Sequence, residues 1–91
     1  EALEHEIAHG LFYTIPDYKK EVRKLISHIP IRTKTKMKER LSKMGYAVKT
    51  YEDEIQAYLS TDPDCAFHKI KLQNICEPFI ENFNKYKGKK L

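Results

Sequence analysis

No apolar run in this sequence approaches the length needed to cross a membrane, and no basic–apolar segment reads as a signal peptide. Cysteine is scarce. Cys65 and Cys76 are too few for a disulfide framework, and neither belongs to a Cys-x-x-Cys pair, so neither reads as a structural zinc ligand. Reduced thiols in a cytoplasmic setting are the expectation. Internal repeats and flexible linkers are also lacking. The net charge of +4 is mild and gathers in two stretches, Arg32 to Arg40 and Lys85 to Lys90. No aromatic residue interleaves with the first stretch, so a solvated helix face is expected there rather than a nucleic-acid footprint. What is present is a chain of 91 residues, 41% hydrophobic and 33% charged, which suffices for one globular domain with a modest core.

The organising stretch lies at the start: Ala2-Leu3-Glu4-His5-Glu6-Ile7-Ala8-His9-Gly10. It reads His-Glu-x-x-His within a helical pattern, with Leu3, Ile7 and Leu11 recurring every four residues as an apolar stripe beside the histidines. Residues four apart on a helix lie one above the other, so His5 and His9 can direct two imidazoles at one metal ion. Glu6 follows His5 by about 100° and flanks the ion rather than completing its shell. A carboxylate so placed can take a proton from a metal-activated water. Gly10, next to His9, would let another helix or a loop approach closely. Only four residues precede His5, and we expect a fragment of a larger protein, truncated at the N-terminus.

The remaining pattern predicts a mainly α domain of about five helices spanning residues 1–91. The first runs to about Tyr13 and is broken by Thr14-Ile15-Pro16-Asp17. The second carries Tyr18, Val22, Leu25, Ile26 and Ile29 on one face and lysines and arginine on the other. Its His28 suits a helix C-terminus and needs no functional role. The third, roughly Thr33 to Met44, has a narrow seam of Met37, Leu41 and Met44, with Gly45 placed for a left-handed cap. Thr50 and Asp53 are spaced as a capping box for a fourth helix, Tyr51 to about Leu59, whose apolar side is Ile55, Tyr58 and Leu59. Ser60 to Asp64 reads as a stop, and residues 65–73 fit neither period. A fifth helix starts near Glu77-Pro78, buries Phe79, Ile80, Phe83 and Tyr86, and frays from Lys87 onward.

A zinc ion held by two histidines needs a third protein ligand and one open position. No third histidine follows at metzincin spacing, and His28 and His68 lie in segments without a supporting motif. Glu52, Asp53 and Glu54 are better candidates. Asp53 reads as the cap; Glu52 and Glu54 flank the apolar face on opposite sides, and spacing does not choose between them.

His5-Glu6-Ile7-Ala8-His9-Gly10, followed after a helical insertion by Glu54-Ile55-Gln56-Ala57-Tyr58-Leu59, resembles the gluzincin zinc peptidases. It is especially similar to the small bacterial ImmA/IrrE-type domains, and the resemblance covers roughly the first 60 residues. It implies Zn²⁺ as cofactor, His5, His9 and Glu54 as metal ligands, Gln56 in the amide position after the glutamate, and a peptide or protein substrate. It implies also an upstream sheet, for which this sequence has no room.

On this reading Glu6 is the general base of peptide-bond hydrolysis and passes its proton to the leaving amine. Tyr13, Tyr46, Tyr58 and His68 are candidate oxyanion donors. Asp53, Glu4 and Asp64 are candidates for orienting the imidazoles. The competing expectations are a non-enzymatic helical interaction module with a basic third helix, and a zinc-binding fragment that cleaves nothing.

Overall fold

The computed structural model describes residues 2–72 and 74–90, and among them forms six α-helices and no strand. These are α1 (Ala2–Thr14), α2 (Pro16–Ser27), α3 (Ile31–Lys43), α4 (Tyr51–Thr61), α5 (Pro63–Phe67) and α6 (Cys76–Lys90). A 3-10 turn, Val48–Thr50, leads into α4. None of the helices is long and apolar enough to cross a membrane. The mainly α expectation holds, with one helix more than expected. The proline of the predicted stop ends α4 but also opens α5, because a first-turn residue has no helical partner for its N–H.

The segments with clear 3.6-residue periodicity fold as their patterns require. Tyr18, Val22 and Ile26 of α2 are buried, Ile29 beyond its end is buried, and Leu25 packs at the margin. On α3 only Met37 and Leu41 are fully buried, which is the narrow seam. Gly45 ends this helix at φ 97°. Its N–H donates to the Ser42 carbonyl at 3.0 Å and that of Tyr46 to the Leu41 carbonyl at 3.1 Å, the two bonds of a Schellman cap.

The centre of the domain is α4, which packs chiefly against α1 and α6. Every residue from Asp53 to Ser60 is buried, so this helix has no solvent face there, whereas the sequence pattern indicated a single apolar side. Ile55 and Leu59 are fully enclosed, and each such side chain contributes about 1.5–3 kcal/mol on leaving water. Asp53, Glu54, Gln56 and Ser60 are enclosed with them. Buried polar groups cost free energy unless they are bonded, so their partners determine what this helix does.

Three local expectations are corrected. Leu3 is 68% exposed and no part of a buried stripe; α1 meets the core through Ala8, Leu11 and Phe12, with Ile7 at the margin. The capping box at Thr50 is absent, since its hydroxyl donates to the Ala47 carbonyl at 2.7 Å and makes no cap bond to α4. Asp53 is thereby free for another use. Finally, Ile80 of α6 is 37% exposed and not part of the buried side formed by Phe79 and Phe83; the Lys87 ammonium of this helix pairs with Glu4 at 2.8 Å and ties α6 to α1, and Leu91 lies outside the described residues. The ambiguous segment divides into α5 and an irregular stretch with Ile70 and Leu72 at the margin of the core, and Gln73 lies outside the described residues.

Candidate metal centre

The α1–α4 contact brings His5, His9 and Glu54 together. One ligand atom from each lies within 4.8 Å of the other two. Glu54 Oε1 stands 3.7 Å from His5 Nε2 and 3.6 Å from His9 Nε2. It is buried and has no hydrogen-bond partner. Both separations are too long for hydrogen bonds. They are close to the roughly 3.3–3.4 Å between neighbouring ligand atoms that tetrahedral bonds of ~2.0–2.1 Å require. An unpartnered carboxylate oxygen facing two ring nitrogens is an arrangement that a shared metal ion would satisfy, so these three residues could hold one.

The other ring nitrogens are held from behind. His9 Nδ1 donates to Asp53 Oδ2 at 2.8 Å. An ionised carboxylate only accepts, so this bond keeps the proton on Nδ1 and leaves Nε2 with its lone pair toward Glu54. His5 Nδ1 lies 3.4 Å from Thr61 Oγ1, whose own proton goes to the Ala57 carbonyl at 2.6 Å. Thr61 can therefore only accept from His5, again leaving Nε2 for the site.

Asp53 is itself fixed. Gln56 Nε2 donates to Asp53 Oδ1 and to the Ala8 carbonyl, both at 3.0 Å, and Gln56 Oε1 accepts from the Tyr18 hydroxyl at 2.7 Å. A bonded chain thus runs from Tyr18 on α2 through Gln56 and Asp53 to His9 on α1. Gln56 uses both its protons and bridges α4 to the backbone of α1 one residue from His9.

The electrostatics follow from this layout. Burial, then the neighbouring His9, lowers the pKa of His5. The Asp53 hydrogen bond raises that of His9 against an opposing effect of burial. Burial raises the Glu54 carboxyl above the ordinary carboxylate range. A cation at the centre would oppose the shifts of His9 and Glu54 and reinforce that of His5, since it favours the neutral imidazoles and the charged carboxylate. The histidine side chains keep 21% and 26% exposure, so the group opens to solvent on one side.

The remaining sequence candidates are sorted by position. Glu6 is exposed on α1, and its charge contributes to the raised pKa of His9. Glu52, undecided against Glu54 by spacing, points outward and pairs with Arg23 at 3.0 Å. His28 and His68 are exposed and outside the group. Of the candidate orienting carboxylates, Asp53 makes the bond, Glu4 is engaged by Lys87, and Asp64 is exposed. Among the candidate oxyanion donors, Tyr58 stacks its ring 4.5 Å from that of His5 and shares a 2.8 Å hydrogen bond with Tyr46. Tyr13 is exposed, and the charge of Asp53, foremost, raises its pKa. His68 lies in a separate cleft against α3. Gly10 receives no close neighbour: a Cβ there would meet nothing within 4 Å.

Sequence reasoning missed Thr61 and Tyr18 as supports for the histidines. The only signal available was the three-residue spacing of Asp53 and Gln56, which lets one helix turn bond its own two side chains. Comparison of the chain with protein-family models, with curated proteins and with solved structures finds no match.

Proposed function

We propose that this protein is a zinc-dependent peptide hydrolase of the gluzincin kind, with His5, His9 and Glu54 holding the ion and Glu6 as general base. The observation that supports it is the unpartnered, buried Glu54 Oε1 facing the Nε2 atoms of two histidines one helical turn apart. When bound, zinc supplies Lewis acidity, which acidifies a water molecule and polarises a carbonyl. Glu6 accepts the proton that the attacking water loses and delivers it to the departing amine. Asp53 and Thr61 hold the imidazoles with Nε2 inward, so no reorientation is needed when substrate arrives. Tyr13 or the Tyr46–Tyr58 pair would donate to the oxyanion. The unbridged Cys65 and Cys76 fit a reducing, cytoplasmic setting.

The test is zinc content and peptide hydrolysis of the untagged protein. One zinc per chain is expected, kept by Glu6→Gln and lost in His9→Ala and Glu54→Ala, with hydrolysis abolished in all three. A zinc-free wild-type protein after incubation with the metal would overturn the reading. Bound zinc with no hydrolysis of any peptide would reduce it to a structural site.

A further inference from the structure

A second feature lies away from the histidines. Lys36, Arg40 and Lys43 recur at helical spacing on α3 and face Lys69 and His68, just beyond α5, across a cleft of about 320 Å³. Ala66 and Ile70 also line it, and Glu39 is its one carboxylate. Among the described residues no ion pair within 4.0 Å is made by any of the four cations. Arg40 is held in place: its Nε donates to the Ala66 carbonyl at 3.0 Å, which fixes the plane of the guanidinium. An arginine so fixed presents its remaining N–H groups as a rigid fork.

We infer that this cleft binds a compact, phosphate-bearing anion. Four unpaired cations in a small concavity repel one another, and an anion of matching charge removes that repulsion. Phosphoryl groups fit better than carboxylates, because each brings a charge of about −1.5 to −2 in a few atoms. No phenylalanine, tyrosine or tryptophan lines the cleft, so a nucleobase would find only the His68 ring and the Arg40 guanidinium plane to stack on. A second cleft supplies an internal contrast. It is larger, about 590 Å³, but its Lys20, Lys24 and Lys85 are offset by Asp17 and Glu21. Four cations against one carboxylate leave the first cleft a net +3 with His68 neutral, and three against two leave the second +1, so the excess of positive charge, not the space, distinguishes the first.

The experiment is a titration of the isotopically labelled 91-residue chain with inorganic tripolyphosphate, followed by backbone amide shifts. A parallel arm uses phosphatidylcholine vesicles with and without phosphatidylinositol phosphates. Saturable shifts at Lys36, Arg40, Lys43 and Lys69 are expected, weakened about five- to tenfold by combining Lys36→Gln with Lys69→Gln and unchanged by Lys20→Gln with Lys24→Gln. Binding to tripolyphosphate identifies a soluble ligand; binding only to the phosphoinositide vesicles identifies a lipid headgroup. Shifts shared equally between the two clefts, or centred on His5, His9 and Glu54, overturn the inference. So does tight binding of a single-stranded oligonucleotide with none of tripolyphosphate.

Discussion

His9 Nδ1 lies 2.8 Å from Asp53 Oδ2, a bond between residues 44 positions apart that joins α1 to α4. It orients one prospective ligand and explains a buried aspartate. Asp53→Asn keeps the size and an acceptor oxygen but removes the charge. Zinc affinity should fall by about 10–100-fold with the fold intact. Competition against a chromophoric chelator measures it, and unchanged affinity would remove Asp53 from the site.

Glu54 and Glu52 should separate cleanly. Glu54→Gln is expected to abolish stoichiometric zinc binding and yet to stabilise the metal-free protein, because it removes a buried carboxylate with an unpartnered oxygen. Glu52→Gln loses only an exposed pair with Arg23, so stability should change by less than about 1 kcal/mol and zinc should stay. Urea unfolding with and without chelator gives both numbers. Zinc retained in the Glu54 variant would contradict the ligand assignment.

The amide of Gln56 should be costly to replace. Gln56→Leu deprives the Tyr18 hydroxyl, the Ala8 carbonyl and Asp53 Oδ1 of a partner at once. Each buried group left unmet costs about 1–3 kcal/mol, so the variant should lose several kcal/mol, whereas Tyr18→Phe leaves only Gln56 Oε1 unmet and should lose about 1–3 kcal/mol. Equal effects from the two would mean that Gln56 acts through the Tyr18 bond alone.

The pH dependence of stability should change sign with metal. Without zinc, the Asp53 hydrogen bond raises the His9 pKa above its ordinary 6.5. Its contribution is complete below pH 6.5 and is lost as pH rises through the folded value. His5 acts oppositely: burial lowers its pKa, so its contribution is complete above 6.5 and is lost as pH falls through the folded value. Chelated protein should therefore lose stability from pH 6.5 upward, less so in Asp53→Asn. Zinc-saturated protein should gain stability over the same range, because binding requires neutral imidazoles. Denaturant midpoints across that range, with and without zinc, decide it; parallel slopes would argue against metal at these histidines.

The sequence by itself determined the helical class, the existence and approximate extent of α2 and α3, the Gly45 cap, and the placing of His5 and His9 on one face. Each follows from local rules: 3.6-residue periodicity, a proline that cannot continue a helix, a glycine that accepts positive φ. Those rules act over a few residues. They could not choose between Glu52 and Glu54, because both flank the same apolar face and the choice depends on where α1 docks. They read Asp53 as a cap and could not rank it above Glu4 and Asp64 as a histidine partner for the same reason: the two uses look identical until the distant helix is in place. Leu3 fits a buried repeat by spacing, but no neighbour covers it. Only the packing of α1 on a fully enclosed α4 decided which acids face the imidazoles, since burial and hydrogen-bond partners are properties of two elements together.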